Sequence, residues 1–413
     1  MGQTTVAQMQ ANGEAAAVRE RLESFVGEVA RGLGRSERRR NAALYVRGML
    51  EAGGRKSLEP MVTRLGYGPL EYDSMQQFVA DSPWDPAVLV RAVAERIAPN
   101  ISVEAWVIDD TGFAKDGRHS PGVKRQYSGT LGKIGNCQIG VSVHAVGRGG
   151  TVPLGWALYL PEDWCADPLR RAKAKIPPEV AFQTKPELAL GLIEAARTWE
   201  VPHVPVLGDQ AYGDSSMLRT LLDERAVTYI FSVAANTGVF DAETVFAVAK
   251  HRSGPGRPPS ALTPDRPHEG VEALARRLGP ESWMTIAFGA DPTGAPRSSR
   301  FAFVRVIAAR PVVHDRREPR VEWLVIEWPE GATGPSDYWL ANLPEGTPPE
   351  RLATLARLRW MIELDYRQLK GELGLDHYEG RSYLGWHHHT ALVTTAHAFL
   401  TEERLDPKAP RPA

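Results

Sequence analysis

The sequence predicts an α/β protein: a helical N-terminal region, an α/β core interrupted by a β-rich insertion, and a helical C-terminus. Three observations predict it. Apolar residues recur at three-and-four spacing from about residue 15 to 98. From residue 99, short apolar runs that end in Gly, Pro or Asp alternate with amphipathic segments, in the strand–helix–strand order of an α/β core. Between residues 236 and 336, apolar and aromatic runs follow one another with turns between them and little helical period.

The helical region is carried by "AVRERLESFVGEVARGL", "RRRNAALYVRGMLEAG" and "MQQFVADSPWDPAVLVRAVAERI", and "PNIS" breaks the pattern near residue 100. "SVEAWVIDDTG" follows as a strand, then a Gly-rich polar stretch from Thr111 to Asn136. "CQIGVSVHAVG" and "TVPLGWALYLPE" read as strands, and "KPELALGLIEAARTWE" reads as a helix. A short strand ends at Gly208-Asp209, "DSSMLRTLLDERA" is helical, and "VTYIFSVAANT" is another strand. "HRSGPGRPPSALTPDRPHEG" is a polar Pro/Gly loop, after which "WMTIAFG", "RFAFVRVIAARPVV" and "VEWLVIEWPEG" have strand character. "SDYWLANLPEG" returns to the core. "PPERLATLARLRWMIELDYRQLKGELG" is predicted as one long helix and "HHHTALVTTAHAFLTEERL" as the last one, before a frayed "DPKAPRPA" tail. The expected partition is 1–98 helical and DNA-binding, 99–235 first part of the core, 236–336 β-rich insertion, 337–403 C-terminal part of the core, and 404–413 disordered tail.

Composition limits the function classes. A chain of 413 residues can bury a large core, and its formal charge of -1 excludes a uniformly basic nucleic-acid binder, so any such positive surface is local. The two cysteines, Cys137 and Cys165, have no disulfide-framework or metal-knuckle spacing, which fits a reducing cytoplasm. No apolar run approaches membrane-spanning length, and the first ten residues lack a secretory pattern.

Three acidic settings stand out. Asp109 and Asp110 follow the apolar Trp106–Ile108 run, where a turn is the plainer reading. Asp209 follows Gly208 after a strand; it could cap a helix, although Asp214 and Ser215 fit that job better. Glu363 lies in a row with Arg359, Tyr366 and Lys370, which steps of four, three and four keep on one helical face. A surface ion-pair stripe has the same spacing. Together, three carboxylates suit a pair of Mg²⁺ ions, which take oxygen ligands and clamp a phosphate when about 3.5–4 Å apart. His387, His388 and His389 do not make a zinc site, because consecutive helical residues point about 100° apart.

These residues resemble a family. Acid after a strand in "DDT", acid after a strand in "GDQAYGD", a β-rich insertion and an Arg-x3-Glu-x6-Lys helix are similar to the DDE transposases of bacterial insertion sequences, in the group with a Tyr-x2-Arg-x3-Glu-x6-Lys signature. "GVKRQYSGTLGKIGNCQIGVSVHA", "FVADSPWD" and "ELGLDHYEGRSYLGWHHHTAL" extend the resemblance from about residue 20 to 402. Arg359, Glu363 and Lys370 fit the signature, whereas its tyrosine position falls on Ala356. The resemblance implies an RNase H-like core with Asp110, Asp209 and Glu363 as catalytic, metal-binding residues. Asp110 is preferred to Asp109 because the acid directly precedes Thr in related enzymes.

It further implies two Mg²⁺ ions, with Mn²⁺ able to substitute, and double-stranded DNA as the partner, both transposon terminal inverted repeats and target. A dimer in the synaptic complex and a bacterial, nucleoid-associated location follow from the same resemblance. Arg359 and Lys370 are expected to hold phosphates. Tyr366 loosely replaces the missing signature tyrosine. Trp360 either stacks on a displaced base or packs in the core. Lys115, Lys124, Arg125 and Lys133 form a DNA-facing loop or a solvated one. Arg35, Arg38, Arg39 and Arg40 read the inverted repeats or mark an exposed helix start. The alternatives are a transposase-derived DNA-binding protein without cutting activity, and a metal-dependent endonuclease that does not join strands.

Overall fold

The computed structural model describes residues 15–130, 132–248, 262–290, 296–313 and 317–405. The chain forms two compact units, one built from residues up to His203 together with those from Trp360 onward, the other from Val204–Arg359. Of the expected disordered tail at 404–413, Arg404 and Leu405 belong to the last helix, and residues 406–413, like most of the Pro/Gly loop, lie outside the described residues.

The first unit opens with five helices: α1 (Ala15–Val29), α2 (Ser36–Leu50), α3 (Leu58–Arg64), α4 (Pro69–Ala80) and α5 (Pro86–Ile97). Local chemistry starts α5: the Asp85 carboxylate accepts from the Ala87 N–H at 2.9 Å and Pro86 supplies the first-turn geometry. Its Leu89, Val90, Val93 and Ile97 are buried at helical spacing. Four strands follow, β1 (Val103–Ala114), β2 (Lys124–Ser128), β3 (Lys133–Gly147) and β4 (Gly150–Tyr159). β3 pairs antiparallel with β1, β2 and β4. The short helices α6 (Glu162–Ala166) and α7 (Pro168–Lys173) lead to α8 (Lys185–Ala196), which starts with a Thr184–Glu187 capping box.

The second unit is a mixed sheet. β5 (Val206–Gly208) runs parallel to β6 (Tyr229–Ser232), and helices α9 (Gln210–Gly213) and α10 (Ser216–Glu224) connect them. Strands β7 (Gly238–Asp241), β8 (Phe246–Val248), β9 (Leu262–Pro264) and β10 (Glu269–Gly270), helix α11 (Val271–Arg277), then β11 (Trp283–Ala290) and β12 (Pro296–Ala308) come next. Helix α12 (Ala309–Val313), strands β13 (Val321–Trp328) and β14 (Asp337–Ala341), and helix α13 (Pro349–Leu358) complete it. β12 pairs antiparallel with β11 and β13, and β14, which follows the expected β-rich region, lies antiparallel between β13 and β6. Val306, Leu324, Ile326 and Leu340 lie in one buried cluster with Val271 of α11.

The chain then returns to the first unit as α14 (Trp360–Gly371) and α15 (Tyr383–Leu405). The single long helix expected here is therefore two, broken by a turn at Arg359, where the chain passes between units. Buried nearly all round, α15 is the core helix of its unit. Phe399 packs on Phe25 of α1 at 5.6 Å, and Arg21 holds Glu403 through two bonds of 2.8 and 2.6 Å.

Candidate active site

The two adjacent acids sit within β1 and not at its end, because the strand continues through Thr111-Gly112 to Ala114. Gly112 belongs there for a packing reason: a Cβ at that position would lie 1.9 Å from the Ser128 hydroxyl, so only glycine admits β2 so close. Strand alternation sends the acids to opposite faces. Asp109 pairs in register with Ser142, and Asp110 with Val141.

The Asp109 face is covered by α14. Ser142 Oγ and the Tyr366 hydroxyl are hydrogen-bonded at 2.7 Å, which puts Tyr366 over the residue opposite Asp109. Burial, and next the Asp109 charge, hold the Tyr366 phenol well above its ordinary pKa. One turn further along α14, the Lys370 ammonium donates to Gly112 O at 2.7 Å and lies 5.3 Å above the Phe113 ring. Burial lowers its pKa to about 8. Glu363, one turn before Tyr366, is exposed. The helix that carries Glu363 thus lies along the face that carries Asp109. Asp110 turns to the other face, where Lys185 at the start of α8 pairs with it at 2.8 Å.

Asp209 belongs to the second unit. Its carboxylate caps α9, accepting from the N–H groups of Ala211 and Tyr212 at 2.9 and 3.4 Å. Sequence reasoning gave that job to other residues; the reason for the difference is a one-turn helix before α10, whose own cap is Ser215. Arg359 is half-buried at the one-residue turn that follows α13. Ala356, at the tyrosine position of the signature, is buried in α13. Trp360 is 54% exposed, and the core-packing reading is corrected: the helix break leaves its ring outside the apolar stripe of Ile362 and Leu369.

The basic residues divide. Lys115 turns inward and donates to Tyr378 O at 2.6 Å, with burial lowering its pKa, so it anchors the loop. Lys124 pairs with Asp163 at 2.8 Å. Arg125 and Lys133 are exposed on the β2–β3 ribbon. Of the N-terminal arginines, Arg40 pairs with Glu71 at 3.3 Å, Arg38 reaches Leu33 O at 3.5 Å, and Arg35 and Arg39 are exposed.

None of the three consecutive histidines gathers with other ligands. His388 stacks on Trp84 at 3.7 Å between the carbonyls of Val79 and Trp84, and His389 bonds Tyr45 at 3.0 Å. Burial lowers His387 to about 4 and His389 to about 3. Among the described residues, no group of three His, Cys, Asp or Glu side chains is close enough to hold a metal ion. The side chains of Asp109 and Glu363, one on that face of β1 and the other on the helix that covers it, nevertheless offer only oxygen, the donor a hard divalent cation takes.

Sequence reasoning missed a buried group beside these residues. Asp365 receives His144 Nδ1 at 2.9 Å and the Thr151 hydroxyl at 2.5 Å. Burial pushes its carboxyl up, but the hydrogen bond from His144 and the neighbouring His397 outweigh it and hold the pKa below the usual range. A signal existed: Asp365 stands three residues after Ile362 and four before Leu369, on the apolar stripe where a charge is out of place.

Two family profiles match the chain, that of the DDE superfamily endonuclease over residues 28–290 and that of the transposase DDE domain over residues 184–399. A stretch of 165 residues is 32% identical to a probable transposase for insertion sequence element IS701 of Microchaete diplosiphon. That match covers 39% of this chain and 40% of the relative.

Proposed function

We propose, from the premise that the chain belongs to the DDE superfamily of endonucleases and transposases, that it is a transposase that cuts DNA at the ends of its element and joins them to a target. The observation that carries this reading is the packing of the Glu363 helix along the Asp109 face of β1, through Tyr366 and Ser142. Asp109, Asp209 and Glu363 are the acids in this proposal, with Asp110 the alternative to Asp109. They would hold a divalent cation pair, Mg²⁺ with Mn²⁺ as substitute, which when bound neutralises charge on the phosphate and activates the attacking oxygen.

The chain's own residues bind and orient the DNA. Lys370, Arg359, Arg125 and Lys133 are placed in the phosphate-holding role, and the exposed Trp360 ring in a base-stacking one. In the first step a water oxygen bonds to phosphorus at the element end, the P–O3′ bond breaks, and a free 3′-hydroxyl leaves. In the second step that hydroxyl bonds to a target phosphorus and the target's 3′-oxygen leaves. No protein nucleophile takes part. An RNase H-like core over residues 99–235 and 337–403, end recognition by residues 1–98 and a dimeric synaptic complex on bacterial nucleoid DNA belong to the same proposal. Among the described residues no helix is long and apolar enough to cross a membrane.

The test is incubation with a labelled duplex of the element's end and a plasmid in Mg²⁺, alongside Asp209→Ala and Glu363→Ala. End cleavage and joining, lost in both variants, is the expected result. Unchanged cleavage in either variant overturns the acid assignment. Binding without cleavage in the wild type indicates a non-catalytic DNA-binding protein, and cleavage without joining a simple endonuclease.

A further inference from the structure

We infer that Asp365 is a positioning residue: buried in a grip formed by β3, β4 and α15, it sets the rotation of α14 about its axis and so aims Glu363. The inference rests on the reading of Glu363 as a site acid. Residues two apart on a helix leave it about 200° apart, so fixing Asp365 inward fixes Glu363 outward. Asp365 is 6% exposed, whereas Glu363 is exposed.

The grip is many-sided. Asp365 Oδ2 faces His144 Nδ1 of β3 at 2.9 Å, and Oδ1 accepts from the Thr151 hydroxyl of β4 at 2.5 Å. His397 Nε2 of α15 lies 3.8 Å from Oδ1. Arg404, also on α15, faces Asp365 electrostatically while it bonds Gln368 Oε1 at 2.8 Å. Tyr366 adds a second fixed point through Ser142. The His144 ring nitrogen Nε2 is buried with no hydrogen-bond partner among the described residues, so the ring's proton belongs on Nδ1, where Asp365 accepts it.

Stability alone does not require this arrangement. A well-packed apolar side chain in place of a buried charge is often equally stable, whereas directed hydrogen bonds define one geometry. A slip of one residue would swing Glu363 by about 100° and break every bond in the grip.

The test compares His144→Leu and Thr151→Val with the conservative His144→Asn and Thr151→Ser, which retain a donor at nearly the same point. Melting temperature, affinity for a labelled end duplex without divalent metal, and single-turnover cleavage in Mg²⁺ are measured for each. Misplacing a reacting group by about 1 Å costs roughly a hundredfold in rate. We expect Leu and Val to lower the cleavage rate by roughly that factor with DNA affinity unchanged, and Asn and Ser to restore most of it. A nitroxide attached to Glu363→Cys, in a background with both native cysteines replaced by serine, gives a readout that needs no activity. The expected spectrum has one ordered component in the parent and in the Asn and Ser variants, and more than one in the Leu and Val variants. Folded Leu and Val variants with parental spectra overturn the inference. Absence of cleavage in the wild type, with the spectral difference intact, overturns the function proposed for Glu363 and leaves its positioning standing.

Discussion

Lys185 Nζ lies 2.8 Å from Asp110 Oδ2, on the face of β1 opposite the one where Tyr366 meets Ser142. Adjacent carboxylates in one strand are thereby given different surroundings: Asp110 already has a cation beside it, and Asp109 faces the helix of Glu363.

The first prediction separates them. Asp109→Asn should lower metal-dependent end cleavage by at least about a hundredfold, the scale of losing an interaction made in the transition state. Asp110→Asn should retain much of the activity and cost no more than about 1 kcal/mol of stability, less at high salt, because the Lys185 pair is partly exposed. Cleavage assays and urea denaturation at two salt concentrations check both. A silent Asp109→Asn beside an inactive Asp110→Asn would assign the role to Asp110.

Lys370 supplies a pH dependence. Its pKa is lowered to about 8 in the folded chain, from an ordinary value of 10.5. The unfolded chain therefore binds more protons between those values, and stability rises with pH across that window. DNA affinity should move the other way, falling above about pH 8 as the ammonium deprotonates. Lys370→Met should flatten both profiles between pH 8 and 10, measured by denaturation and by fluorescence anisotropy.

Trp360 offers a test of binding without folding. With its ring 54% exposed, Trp360→Ala should change stability by less than about 0.5 kcal/mol. If the ring stacks on DNA, affinity should fall by roughly tenfold, since a base–aromatic stack is worth about 1–3 kcal/mol. A melting curve and a binding isotherm on the same sample decide it. Unaltered affinity removes Trp360 from the DNA-contact set.

Acid should loosen α15. Burial lowers His387 to about 4, His389 to about 3 and His397 to about 4. Each binds its proton more readily unfolded than folded, so stability is full above the ordinary histidine value of 6.5 and is lost as pH falls towards 4. Three such groups give a slope of up to roughly 4 kcal/mol per pH unit. His387→Gln should remove about one third of that slope in urea titrations between pH 6 and 4.5.

Much of this was legible in the sequence because period and punctuation act locally. Helical spacing put Tyr366 and Lys370 on one side of α14, whereas the turn read at Asp109-Asp110 is strand, because β1 runs on to Ala114. What was hidden depends on distant partners. Gly112 reads as a turn until Ser128 of another strand fills the place of its Cβ. The break at Arg359 carries neither glycine nor proline, so nothing local announces it. Asp209 lost its capping role on paper because α9 is only one turn long. Asp365 was visible as a charge on an apolar stripe, but its meaning required His144 and Thr151, more than 200 residues earlier.

The unit boundary at Arg359–Trp360 also bears on how the motif is inherited. A signature read as one short phrase is divided: its arginine is built by one unit and its glutamate by the other. Residues 204–359 lie in the chain between the two segments of the first unit and include Asp209. A recombination event that exchanged this segment as a block would carry over one acid and the motif arginine, while leaving Asp109, Asp110, Glu363 and Lys370 behind. Chimeras joined at residues 203/204 and 359/360 thus divide the site residues between two parents, and those joints are where mismatched halves of related proteins can be tested against each other.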